Sequence, residues 1–129
     1  MPNLNGRNIV DITFTDSLTG FAITNFSNDT SFILKTTNGG DNWFYSHSDT
    51  GIAYYYRIQF INHNTGFVGG YIARTYILKT TNAGTNWFFI NAPYDQIALD
   101  MSVVNENLIW LVDNGSLTGG VFRTTNGGG

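Results

Sequence analysis

The residues able to do chemistry in this chain are two histidines, a few carboxylates, four arginines and a run of tyrosines. A zinc or iron site needs three or four ligands converging on one point. No third ligand stands at metal spacing from His47 or His63, so both read as surface residues and no metal is expected. Glu106 is the only glutamate, and Asp16, Asp29, Asp41, Asp49 and Asp113 fall in turn-like stretches. Glycoside hydrolysis needs two carboxyls facing each other across a sugar, and nothing in this distribution predicts such a pair. Gly39-Gly40 and Gly127-Gly128-Gly129 precede neither a helix nor a Lys-Ser/Thr pair, so they are not phosphate cradles. No catalytic residue and no cofactor is expected. The stretch AYYYR, Ala53 to Arg57, is the best candidate binding surface. Strand alternation sends Tyr54 and Tyr56 to one face and Tyr55 to the other. Tyr54, Tyr56 and Arg57 could then stack on sugar rings or anchor a protein partner, although packing between sheets is the competing use.

Composition narrows the partners. The 129 residues are 42% hydrophobic and 16% aromatic but only 12% charged, with a net charge of −3. Polarity is carried by Asn, Thr, Ser and Gly, a mixture suited to short strands and tight turns. Six basic residues make no basic face, so nucleic acid and anionic membranes are excluded as expected partners. No stretch reaches the roughly 18 apolar residues of a membrane helix, and residues 1–5 do not read as a signal peptide. Cysteine is absent, which removes disulfides and thiolate sites and leaves the compartment open.

The elements holding these residues repeat. ILKTTNGGDNW (Ile33 to Trp43) recurs as ILKTTNAGTNW (Ile77 to Trp87) and, in part, as VFRTTNGGG at the end of the chain. Lys35, Lys79 and Arg123 are 44 residues apart at each step. An upstream block, ITFTDSLTGFAI, matches IQFINHNTGFVG 46 residues later and, more loosely, MSVVNENLIWLV. Each repeat reads as four short strands; in the second copy these are about Tyr55–Ile61, Gly66–Tyr71, Thr75–Thr81 and Asn86–Asn91. Runs such as Trp87-Phe88-Phe89-Ile90 place apolar residues at consecutive positions, so both sheet faces must be covered. Four-stranded units of about 44 residues stacked on one another predict an all-β, propeller-type architecture. The blades expected are about 8–50, 53–93 and 96–129, within one repeat domain spanning 1–129, the third lacking its outer strand. Between the third and fourth strands, Asn38 folds onto backbone two residues on and Gly40 takes positive φ, while Thr36 ties the base and Trp43 covers the hairpin. Thr80, Asn82, Gly84 and Trp87 form the second such turn, and Thr124, Asn126 and Gly128 the third. Lys35 and Lys79, just before the first two turns, read as solvated tips.

The pattern Ser/Thr-x-Asp/Asn-x-Gly-x-x-Trp resembles the Asp-box, or BNR, repeat of sialidases, sortilin-type receptors and photosystem II assembly-factor propellers. The ILKTTNGG variety is closest to that of secreted bacterial propellers and the assembly-factor family. The resemblance runs from about Ile9 to Gly128 and implies a β-propeller, with a place outside the cell or at its surface. Asn38, Asn82 and Asn126 stand where the name-giving Asp often sits, so no acid is expected there. Sialidases also need clustered arginines and a Tyr–Glu pair, whereas Arg7, Arg57, Arg74 and Arg123 are scattered.

Closed propellers use about 4–8 blades, so three blades are an unfinished ring. Their end faces are expected to expose apolar surface beyond the few hundred Å² typical of a monomer. The function that follows is a non-catalytic interaction or assembly module, whose partner is another copy of the chain or the remaining blades of a longer polypeptide. Carbohydrate binding is the alternative, and a sialidase-like hydrolase a more distant one.

Overall fold

The computed structural model describes residues 6–25, 30–50, 54–72, 74–91, 98–113 and 120–126. Among them it is all-β: eleven strands in three antiparallel sheets. The first sheet is β1 (Ile9–Phe14), β2 (Gly20–Thr24), β3 (Thr30–Thr36) and β4 (Phe44–Thr50), paired in chain order. The second repeats it with β5 (Tyr54–Phe60), β6 (Gly66–Ile72), β7 (Arg74–Thr80) and β8 (Phe88–Asn91). The third holds β9 (Ala98–Val103), β10 (Ile109–Asp113) and β11 (Val121–Thr124). In the second sheet the first strand stops one residue before the sequence predicts, because the Ile61 N–H is taken by the Thr65 carbonyl at 3.0 Å in closing the turn.

The sheets stack face to face as blades. β1 lies against β5, and β5 against β9, so the first strands of successive blades are neighbours. Two apolar cores result, one per junction. The first joins Phe21, Ile23 and Ile33 of blade 1 to Tyr55, Ile58, Val68 and Leu78 of blade 2. The second joins Phe67 and Ile77 of blade 2 to Met101, Val103, Ile109 and Leu111 of blade 3. Blade 2 therefore uses odd positions of β6 toward one neighbour and even positions toward the other, which is why its strands carry consecutive apolar residues. The TGF of the upstream block has a steric cause. A Cβ at Gly66 would lie 2.5 Å from the Phe60 ring, and one at Gly20 2.7 Å from Phe14. The ring of the first strand lies flat over bare backbone of the second.

Candidate functional site at the blade junctions

Each junction is built from the same parts. In β2 and β3, Phe21 and Lys35 are cross-strand partners, and the Lys35 ammonium lies 5.5 Å from the Phe21 ring centroid. Phe67 with Lys79 repeats this at 5.5 Å, and Trp110 with Arg123 at 5.7 Å. Lys35 and Lys79 are not the solvated tips expected from sequence. Lys35 Nζ donates to the Ala83 carbonyl of blade 2 at 2.6 Å, and Lys79 Nζ meets Glu106 Oε2 of blade 3 at 3.4 Å. Both side chains reach forward over an aromatic ring into the next blade, which sequence spacing alone could not reveal.

Phe21 enters a socket on blade 2. It stacks on Phe60 at 4.3 Å and meets Trp87 edge-on at 6.3 Å. Trp87 Nε1 donates to Ser46 Oγ at 2.9 Å, and Ser46 in turn donates to the Gly84 carbonyl at 2.6 Å. Along the first strands, side chains tie one blade to the next. Asp11 Oδ2 accepts the Ile58 N–H at 3.0 Å. Gln59 clamps Val103 twice, donating to its carbonyl and accepting its N–H, each at 2.9 Å. Arg57 Nε stands 3.5 Å from Asp100 Oδ1 on the following blade.

The turn residues named from sequence are held by their own side chains. Thr80 Oγ1 donates to Asn82 Oδ1 at 3.0 Å and accepts the Gly84 N–H at 2.9 Å, while Asn82 Oδ1 also accepts the Asn86 N–H at 2.9 Å. Thr36, Asn38, Gly40 and Asn42 repeat it at 3.0, 3.0 and 2.9 Å. In the third copy Thr124 donates to Asn126 at 2.9 Å, and Gly128 lies outside the described residues. The Asn oxygen only accepts here, so an amide serves where the Asp-box pattern often has a carboxylate. Gly40 and Gly84 have φ of +99° and +79°. Trp43 packs edge-on against Phe14 at 6.2 Å, as Trp87 does against Phe60 at 6.1 Å.

A second repeated turn escaped the sequence reading. Asp16 Oδ1 accepts the N–H groups of Leu18 and Thr19, both at 2.7 Å. Asn62 does the same for Asn64 and Thr65, and Asn105 for Asn107 and Leu108. The signal was an Asp or Asn at one register position of each upstream block, hidden by the change of residue type. These two N–H bonds, and then His63, hold the Asp16 carboxyl below its ordinary range.

The tyrosine run does not form one surface. Tyr54 and Tyr56 share one face, against Tyr71 and over Gly69 of β6, and Tyr55 takes the other, as alternation predicts; the bulge between Tyr55 and Arg57 shifts the register only beyond them. Tyr54 is exposed and stacks on Tyr71 at 4.9 Å. Tyr55 is buried in the first junction and its hydroxyl donates to Asp49 Oδ2 at 2.6 Å. Tyr56 turns into the second junction over Gly69, its ring 2.7 Å from where a Cβ would stand. Burial raises the pKa of its hydroxyl, and the Asp100 charge adds to the rise. Arg57 remains about half exposed beside Asp100.

Of the histidines, His47 pairs with Asp49 at 3.1 Å. His63 Nδ1 meets Asp16 Oδ2 at 3.1 Å and Thr15 Oγ1 at 3.3 Å. Hydroxyl and carboxylate share one ring nitrogen, so this is no nucleophile–base–orienter relay, which needs them on opposite nitrogens. No cluster of three His, Asp or Glu placed to hold a metal occurs among the described residues.

Stacked antiparallel sheets of three or four strands, with repeated turns and side chains latched from blade to blade, define a β-propeller-type fold. Solved structures of YCF48 share this fold. One, described as YCF48 bound to D1 peptide, superposes with a TM-score of 0.73 at 20% identity over 95% of this chain and 38% of its own. YCF48 from Cyanidioschyzon merolae gives 0.73 and 20% over 98% and 39%. The chain thus spans about two fifths of these neighbours. No protein-family model matches the chain, and neither does any curated protein sequence.

Proposed function

We propose that this chain is a non-catalytic interaction and assembly module, built of Asp-box-type propeller blades, that self-associates through the flanks of blades 1 and 3. The observation carrying this reading is exposure at matched positions. Ile58 of β5 is 3% exposed inside the first junction, and its counterpart Ile12 on blade 1 is 54% exposed. Ile33 is fully buried, and its counterpart Val121 on blade 3 is 64% exposed. Apolar side chains that are core within the stack face solvent at its two ends, at a hydrophobic cost that a further blade would remove. The D1 peptide bound to YCF48 supports a protein partner for a propeller of this kind. Composition and resemblance favour a place outside the cell or at its surface.

Light scattering at micromolar concentration tests the reading. Masses above the 14.3 kDa of one chain are expected, and electron micrographs then separate closed rings from open filaments. A stable, folded monomer at 100 µM overturns it. Carbohydrate binding remains a second reading, supported by the exposed Tyr54 stacked on Tyr71. Loss of glycan-array signal on Tyr54→Ala would favour it, and an array without signal from the native chain removes it.

A further inference from the structure

We infer that Trp110 and Arg123 on blade 3 form a knob that seats in a socket of Phe14, Trp43 and Gly40 on blade 1 of a second copy of this chain. The inference rests on the self-association reading and specifies its contact. The template is the junction between blades 1 and 2. There the knob is Phe21 with Lys35, and the socket is Phe60, Trp87 and Gly84. The Phe21 ring fills the space above Gly84, where a Cβ would come within 2.6 Å of it. Lys35 crosses to the Ala83 carbonyl of the same turn.

Both halves recur at the two ends. The socket on blade 1 has the same aromatic frame, Phe14 and Trp43 at 6.2 Å and 85° against 6.1 Å and 89° for Phe60 and Trp87. Gly40 has positive φ like Gly84, yet the nearest atom to a Cβ there is in its own blade's Trp43, at 3.8 Å. The space that Phe21 fills over Gly84 stands open over Gly40. Trp110 and Arg123 occupy the register of Phe21 and Lys35, and Arg123 reaches no acceptor among the described residues. The carbonyl matching Ala83 in the socket belongs to Gly39. Beside the knob a hollow of about 140 Å³ is lined by Arg57, Asp100, Met101, Ser102, Trp110 and Val112. Ile23, the counterpart of Val112, is fully buried under Ile58 and Tyr55, whereas Val112 is 40% exposed. The matching blade-1 residues Ile12 and Ile9 are both exposed and of a size to enter that hollow. Ala22 and Leu34 are already buried, so the open part of the blade-1 flank is the row along β1.

Knob and socket are different surfaces, so the contact is head to tail, and mixing tests it. Trp110→Ala removes the knob and keeps the socket; Phe14→Ala does the reverse. Each alone is expected to be monomeric by light scattering at concentrations where the native chain associates, with an unchanged far-UV circular dichroism spectrum. Mixed one to one, they are expected to form a species of two chains and no larger. Arg123→Glu, a change at an exposed residue, is expected to weaken association at least tenfold and covers the case in which Trp110→Ala fails to fold. If the native chain associates but Trp110→Ala and Arg123→Glu associate equally well, the knob is wrong and self-association stands. If both single variants are monomeric and the mixture is too, the contact is not head to tail and the inference falls. A native chain that stays monomeric removes this contact and the function together.

Discussion

Alanine at two equivalent glycines separates what a turn costs from what a junction costs. Gly40 and Gly84 occupy the same place in the same hydroxyl–amide turn, with φ of +99° and +79°. A side chain in this left-handed region costs about 1–2 kcal/mol, and that cost is common to both. The surroundings differ. At Gly40 a Cβ meets nothing nearer than Trp43 at 3.8 Å, an ordinary contact. At Gly84 it lies 2.6 Å from Phe21 and 2.9 Å from Ser46 Oγ. Phe21 is fully buried and stacked on Phe60, so it cannot retreat without disturbing the core. Overpacking of this kind costs about 1–3 kcal/mol more. Gly84→Ala should therefore destabilise by about 2–5 kcal/mol and Gly40→Ala by about 1–2 kcal/mol. Urea denaturation followed by tryptophan fluorescence, at a concentration where light scattering reports single chains, measures both. With a slope of about 1–3 kcal/mol/M, the two midpoints should differ by roughly 1 M. Equal midpoints, or a larger loss at Gly40, would refute the claim that Phe21 seats on the neighbouring blade's turn.

Three further outcomes follow from the same geometry. Gln59→Leu strips the clamp from both Val103 backbone groups and should cost about 2–3 kcal/mol, with hydrogen exchange in β9 accelerating before that in β6; uniform acceleration would contradict it. Thr80→Val leaves the Gly84 N–H without its acceptor and removes the bond to Asn82, for a loss of about 2–4 kcal/mol in urea melts, and a change under 0.5 kcal/mol would sink the turn's energetic role. Asp16→Asn keeps the acceptor that Asn62 and Asn105 provide in the other blades, so stability at pH 7 should hardly move. The Asp16 carboxyl is held below its ordinary 3.8, so its contribution is present above about pH 4 and is lost as pH falls through the lowered value. The variant should flatten the acid limb below about pH 4, and an unchanged limb would refute it.

The period was legible because it rests on residues with unmistakable physical demands. Gly at a left-handed turn, Thr and Asn to tie it, and Trp to cover it recur at a spacing of 44 residues, and four strands per unit follow from the turn signals between them. Contacts across the junctions were illegible, because they depend on which face meets which neighbour. Lys35 and Ala83 are 48 positions apart, and nothing local marks the ammonium as a donor to that carbonyl. Tyr56 was hard to read for a different reason. Alternation puts it on the face of Tyr54 and away from Tyr55, where the structure has it. Only the packing of the next blade decides that this face is covered at Tyr56 and open at Tyr54. Asp16, Asn62 and Asn105 were passed over because the turn needs only an acceptor oxygen, which two residue types supply.

A blade of this kind closes its own turns and satisfies its flanks against its neighbours. Both repeated turns are closed by side chains of their own blade, Thr36 and Asn38 in one and Asp16 in the other. The Phe21, Lys35, Ser46 and Gln59 contacts all run forward to the next blade. Stability in such an array is a sum of blade terms and nearest-neighbour junction terms. Three blades in a line have two junctions, whereas a ring of two such chains has six blades and six junctions. Closure would raise the junctions per blade from two thirds to one, at the entropic cost of a single bimolecular encounter. Under the proposed self-association that gain would favour a closed assembly over an isolated stack, and it would vanish if either end flank failed to match its counterpart. For the self-association proposed above, the match of Phe14, Trp43 and Gly40 to Phe60, Trp87 and Gly84 is the feature on which assembly would turn.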